Sequence, residues 1–204
     1  KGAKYIEYPN GGHLPYFGLE NDLSNDLTNF FKKFSKVSSS CLNENDKLAT
    51  ILFTDIVEST SKLSSFGDKK WSKLMDSHDD IIFNKIKKYQ GQFIKNTGDG
   101  SLVIFDGPIR AIKYALEFQS DIKSLGIECR CGLHIGQIEW RGSDVSGIAI
   151  NIASRVMNLS KPNKVLITKT LGDLIAGSKI KYANFGDFNL KGITGNWNLL
   201  EIID

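Results

Sequence analysis

Apolar and polar positions alternate along this chain in blocks that predict a definite order of elements. Residues 48–56 read Leu-Ala-Thr-Ile-Leu-Phe-Thr-Asp-Ile, a β-branched and apolar run that predicts a strand over 48–55 with Asp55 at its mouth. Trp71, Leu74, Met75, His78, Ile82 and Tyr89 then recur at helical spacing. Residues 92–105 hold two short strand-like runs joined by Gly98-Asp99-Gly100, a hairpin. Pro108 fits the first turn of a second helix, which runs to a stop at Gly126. A long strand over 127–138 comes next, then a polar loop holding Asp144, then a helix from Gly147 to Leu159. Strands near 164–168, 180–185 and 197–203 close the chain. The order β-α-β-β-α-β predicts an α+β fold, a ferredoxin-like core with extra C-terminal strands.

The first 47 residues break this regularity. Residues 35–47, Ser-Lys-Val-Ser-Ser-Ser-Cys-Leu-Asn-Glu-Asn-Asp-Lys, are polar and aperiodic, a linker by composition. Residues 1–34 suggest a strand at Lys4–Tyr8, a turn at Pro9–Gly12 and a helix at Asn25–Phe34, too little to bury a core alone. Lys1 stands where a Met would open a complete chain, so a longer parent is expected.

Composition narrows the functional classes. The chain has 204 residues, 41% hydrophobic and 24% charged, with a net charge of +3. That charge is too small to argue for nucleic acid, and no basic run stands out. A ferredoxin-like RNA binder would also need an aromatic stacking pair on the sheet, and none is evident. No apolar stretch approaches the roughly 20 residues of a membrane helix, and no signal peptide is present. Of the three cysteines, Cys129 and Cys131 fall in an apolar strand-like run, where they read as small buried hydrophobes in a reducing compartment, the cytoplasm.

The candidate chemistry rests on a few polar residues in apolar settings. Asp55 either caps the next helix or binds something, and Ser59 and Thr60 are nearer cap candidates. Asp99 between two glycines has an ordinary reading as turn chemistry. Together, an acid at a strand mouth and an acid at a hairpin tip can meet over a metal ion, which suits phosphoryl chemistry. Asn151 and Arg155 lie one turn apart on one helix face, beside a stripe of Ile148, Ile152, Val156 and Leu159. An exposed polar edge explains them; so does a phosphate clamped by the arginine fork. Lys95 reads as a surface lysine or, with Asp144, as a donor–acceptor pair for a purine edge. His78 and His134 read as structural core histidines.

Four ordered stretches make a family pattern: Phe53-Thr-Asp-Ile-Val-Glu-Ser-Thr60, Ile94-Lys-Asn-Thr-Gly-Asp-Gly100, Gly132-Leu-His-Ile-Gly136 and Gly147-Ile-Ala-Ile-Asn-Ile-Ala-Ser-Arg155. On these, residues 48–203, about three-quarters of the chain, resemble the class III nucleotide cyclase catalytic domain. The resemblance implies that Asp55, Asp99 and the Ile56 carbonyl hold two Mg²⁺ or Mn²⁺ ions. It implies that Lys95 and Asp144 read adenine, that Asn151 positions the ribose, and that Arg155 faces the transition state. Lys191, in Asn189-Leu-Lys-Gly192, matches a lysine that touches the triphosphate. The family's further triphosphate arginine has no clean counterpart, Arg141 being nearby but offset. The implied activity is adenylyl cyclase, ATP to cyclic AMP and pyrophosphate, by a homodimer whose sites are shared between chains. The alternative is a catalytically weak cyclase-like domain that binds ATP and signals by dimerising.

The first residues carry a shorter echo. Residues 2–15 resemble the last strand and histidine loop of an α/β-hydrolase, with His13 at the place of the triad histidine, and 21–34 its final helix. No Gly-x-Ser-x-Gly elbow accompanies them, so hydrolysis by this chain is not expected.

Overall fold

The structure, a computed structural model, describes residues 25–29 and 46–203. The chain divides into two compact units, Lys1–Glu44 and Asn45–Asp204. In the first, residues 25–29 are helical, within the helix expected over 25–34. The expected strand at 4–8, the His13 loop and nearly all of the linker lie outside the described residues.

In the second unit the elements run β1 Asp46–Ile56, α1 Ser59–Phe66, α2 Asp68–Tyr89, β2 Gln92–Asn96, β3 Ser101–Phe105, α3 Pro108–Ser124 and β4 Cys129–Arg141. They continue through β5 Asp144–Ser146, α4 Ile148–Leu159, β6 Val165–Thr168, α5 Lys169–Leu174, β7 Lys181–Asn189 and β8 Asn196–Ile203. The sheet order is β2-β3-β1-β4-β6-β8-β7, with β5 paired to β4. The first four strands, β2-β3-β1-β4, are mutually antiparallel, the order of the split βαβ core. β6 joins β4 in parallel, and β8 and β7 extend the sheet antiparallel.

Strand alternation distributes the core between two faces. Leu52 and Ile56 of β1 pack with α3 residues such as Ile112, Tyr114 and Phe118 and with Ile82 of α2. Ala49, Ile51 and Phe53 pack with Ala149, Ala153 and Met157 of α4 on the opposite face. Asp55 continues that odd-numbered series, so β1 delivers it to the α4 side. The helix can lie close because β4 offers glycines beneath it. A Cβ on Gly132 would stand 2.1 Å from the Met157 amide nitrogen, and one on Gly136 would stand 2.7 Å from the Ala149 Cβ.

Helices α2 and α3 are also joined at the surface around Glu117. Its carboxylate accepts hydrogen bonds from Lys85, Lys88 and the Tyr89 hydroxyl, and Lys85 also pairs with Asp121 at 2.8 Å. These donors, Lys88 first, hold the Glu117 carboxyl down to about 2.

Several expectations change. The polar loop at Asp144 contains β5, because β4 runs on to Arg141 and turns back on itself. The helix expected from Trp71 to Tyr89 is α2; ahead of it the structure adds α1, set off at Gly67, whose φ of 75° no helix accommodates. Neither Ser59 nor Thr60 caps α1; the capping position is Glu58, in a left-handed conformation with no side-chain cap bond. Ile148, placed in the apolar stripe, is 59% exposed; α4 buries Ile152 and Val156, and Ala149, Ala153 and Met157 beside them. Cys129 and Cys131 are fully buried free thiols, as expected. His78 departs from the satisfied core histidine: Nδ1 meets Asp79, but the buried Nε2 has no partner.

His134 lies between the two glycines on the same face of β4. Its Nδ1 shares a 2.9 Å hydrogen bond with the Thr168 hydroxyl, and its ring meets Trp197 edge-on. Burial pushes its pKa from 6.5 down to about 4. Its proton is therefore bound more readily by the unfolded chain. Stability is full above pH 6.5 and is lost as pH falls toward 4, by about 3 kcal/mol from this one group. Urea unfolding between pH 7.5 and 4.5 checks this: His134→Gln should lose markedly less stability over that interval than the wild type.

Candidate active site

The site begins where the β2–β3 hairpin is pinned to the end of β1. Gly98 adopts φ 98°, open to glycine, and the turn closes with the Thr97 amide donating to the Gly100 carbonyl at 3.0 Å. Gly100 approaches the β1 backbone so closely that a Cβ there would stand 1.9 Å from the Thr54 carbonyl oxygen. Beside it the Ser101 amide donates to the Thr54 hydroxyl at 3.0 Å, and the two hydroxyls share a bond of 2.9 Å.

This seam brings the Asp99 carboxyl to the Asp55 carboxyl. Burial raises the Asp55 pKa above the usual carboxylate value; Arg130 opposes that shift, and the like charge of Asp99 adds to it. Arg130 is Asp55's cross-strand neighbour on β4. Its Nε donates to Asp55 Oδ2 at 2.8 Å, and its Nη2 stands 2.6 Å from the same oxygen as an ion pair. Two acids drawn together against a cation suit a divalent ion. Among the described residues no cluster of three or more His, Cys, Asp or Glu side chains occurs. Two carboxylates are a set that fits magnesium chemistry, in which one or two carboxylates are completed by phosphates and water.

A groove of about 370 Å³ opens beside this pair, lined by Ser59, Thr60, Leu63, Trp71, Met75, Gly98 and Asp99. It runs along the start of α1, where unpaired amides favour an anion.

A second group forms on β2 and β5. Lys95 Nζ and Asp144 Oδ2 pair at 2.6 Å, and the Val145 amide donates to Asp144 Oδ1 at 2.8 Å. The lysine bond, then the amide, holds the Asp144 carboxyl below its usual range. A third group lies at α4. Arg155 Nε donates to the Lys191 carbonyl at 3.2 Å, which ties the helix to the loop after β7. Asn151 is exposed one turn earlier. Among the described residues no ion pair or hydrogen bond joins these three groups to one another. Arg141 belongs to none of them; it pairs with Glu139 at 3.0 Å.

Sequence reasoning does not single out Arg130. The signal was available: it is the lone cation between two buried cysteines, and pairing the 48–55 and 127–138 runs antiparallel puts it opposite Asp55.

A family model described as "Adenylate and Guanylate cyclase catalytic domain" matches residues 42–201. The chain belongs to this cyclase family. A Rhizobium meliloti protein that carries an adenylate cyclase name is 26% identical over 156 residues, covering 72% of this chain and 27% of its own. The "pH-sensitive adenylate cyclase MT1302" of Mycobacterium tuberculosis is 27% identical over 116 residues, 54% of this chain and 29% of that protein. The chain thus spans under a third of the length of these two relatives. Among solved structures, the adenylyl cyclase CyaB from P. aeruginosa superposes with a TM-score of 0.74 at 20% identity, over 80% of this chain and 97% of that one. Guanylyl cyclases also superpose, one from Catenaria anguillulae at a TM-score of 0.65 and 22% identity, over 78% of this chain and 97% of that one. The likeness therefore shows the cyclase fold and leaves the base to the residues.

The seam between hairpin and β1 gives a test of the cyclase site's construction. Gly100→Ala drives a methyl into backbone and should destabilise by roughly 3 kcal/mol or more. Gly98→Ala, with open space around it and only its φ to strain, should cost about 1 kcal/mol. Denaturant midpoints of the two variants check the order.

Proposed function

We propose that this domain is an adenylyl cyclase, converting ATP to cyclic AMP and pyrophosphate as a homodimer with two shared sites. The observation that carries the reading is the meeting of Asp55 and Asp99 beside Arg130 at the mouth of β1. Asp55, Asp99 and the Ile56 carbonyl would hold Mg²⁺ or Mn²⁺. Two such ions supply acidification of the ribose 3′-hydroxyl and neutralisation of phosphate charge.

The chain's own residues do the rest. The start of α1 and Arg130 receive the triphosphate, with Lys191 as a further cation on the β7–β8 loop. Lys95 donates and Asp144 accepts, which matches adenine, whose ring nitrogen accepts and whose amino group donates; guanine reverses both. Asn151 orients the ribose so that the 3′-oxygen faces the α-phosphorus in line. Arg155, its Nε held by the Lys191 carbonyl, turns its terminal nitrogens to the charge that grows on the α-phosphate oxygens. The 3′-oxygen to phosphorus bond forms, the bond to the β-phosphate bridging oxygen breaks, and the hydroxyl proton passes to solvent. A cytoplasmic setting agrees with ATP as substrate and with free Cys129 and Cys131.

That no ion pair or hydrogen bond joins the acids, the purine pair and the Asn151–Arg155 face within one chain, among the described residues, fits a site assembled from two chains, with the acids from one and the purine pair, Asn151 and Arg155 from its partner. Incubation with ATP and Mn²⁺ should yield cyclic AMP, and Asp55→Ala should reduce it at least a hundredfold without unfolding the domain. Nucleotide binding with no product would instead favour the ATP-binding regulatory reading.

Sharing gives a further test. Asp55→Ala and Arg155→Ala should each be inactive alone. Co-refolded in equal amounts, half the dimers are mixed and each mixed dimer has one intact site, so activity should return to about a quarter of wild type. A mixture that forms heterodimers and stays inactive would place the whole site within one chain.

A further inference from the structure

The contact between Arg130 and Asp55 has a feature that simple charge balance does not require. Two nitrogens of Arg130, the donating Nε at 2.8 Å and Nη2 at an ion-pair distance of 2.6 Å, converge on one oxygen of Asp55. Arg130 is one-third exposed at its side chain and Asp55 about one-fifth, so the pair sits at the edge of the site, where a guanidinium can swing. No other acid pairs with Arg130 among the described residues. The same carboxylate is the one that, with Asp99, suits a divalent ion.

We propose that Arg130 is a displaceable counter-ion: it occupies the Asp55 carboxylate until a divalent cation takes its place, and the released guanidinium then binds the triphosphate. The inference rests on the cyclase reading above and adds a coupling to it. Asp55 cannot give Oδ2 fully to the Arg130 guanidinium and to a metal ion at once. Nor can Arg130 give its fork to a phosphate while it is held on Asp55. Metal and triphosphate therefore each remove the partner that hinders the other, and their binding is reciprocally favourable. The positive charge also keeps two carboxylates together in the free protein, where like charges alone would part them.

Two binding measurements, both independent of turnover, test this. The first is Mn²⁺ alone, without nucleotide, followed by electron paramagnetic resonance. Arg130→Gln should bind Mn²⁺ about fivefold tighter than the wild type, the worth of a partly exposed ion pair. Arg130→Lys, whose single nitrogen cannot make both contacts, should show the same direction and serves if the glutamine variant does not fold. Equal or weaker Mn²⁺ binding in the folded variants would overturn the proposal.

The second uses a non-cyclisable ATP analogue in EDTA. Asp55→Asn should tighten its binding several-fold, by freeing Arg130. In the Arg130→Gln background the same Asp55→Asn change should give little gain. If the gain persists there, it comes from lost negative charge alone, and the proposal fails. Wild-type protein that bound neither Mn²⁺ nor the analogue would instead overturn the cyclase reading itself. Binding of both with no coupling in the cycle would overturn only the role of Arg130.

Discussion

The arrangement depends on one backbone contact, the approach of Gly100 to the Thr54 carbonyl. A hairpin tip ordinarily projects into solvent. Here it is laid against the last turn of a neighbouring strand, and the absence of a side chain at one position permits it. The Ser101 amide and the Thr54 hydroxyl then lock the register. Asp99, in the turn between β2 and β3, and Asp55, near the end of β1, come together as a result. Left to electrostatics, the acids would separate; the seam and Arg130 oppose that together.

A second pair of glycines does for α4 what Gly100 does for the hairpin. Gly132 and Gly136 flatten one face of β4, so the helix rests almost backbone to backbone on the strand. Close seating removes the freedom that longer side chains would leave. It fixes the azimuth of α4 and, through it, the direction in which Asn151 and Arg155 project. His134 between the glycines ties the same strand to β6 and packs on Trp197 of β8, so the stretch beneath the helix is braced by two further strands.

The elements that bury much apolar surface were legible in the sequence, since periodicity reports burial. β1, the 92–105 hairpin, α3 and α4 fall where the pattern puts them, within two or three residues. What was not legible depends on approach rather than on pattern. β5 is three residues long and mostly polar, and exists because β4 overruns and turns back. Glu58 at the head of α1 is non-glycine at a φ of 55°, a conformation no propensity scale selects. The site divides in the same way. Asp55, Asp99, Lys95 and Asp144 were singled out by odd chemistry in apolar surroundings, and the structure puts each beside another of that set. Arg130 was hidden because its meaning lies across the strand, in a register that must be assembled before it can be read. Arg141 drew notice by its nearness in sequence, and Glu139 accounts for it.

Arg130 is flanked by two thiols with no exposed surface, and burial holds the Cys131 thiol well above its ordinary pKa. Both sulfurs are closed off from solvent, so alkylating and disulfide reagents cannot reach them while β4 stays packed. They become reactive when the strand leaves its neighbours. The chain thus carries an intrinsic chemical clock on the strand that holds the arginine. The rate at which those two sulfurs are modified measures how often that edge of the sheet opens, a local breathing frequency that neither unfolding midpoints nor turnover would register.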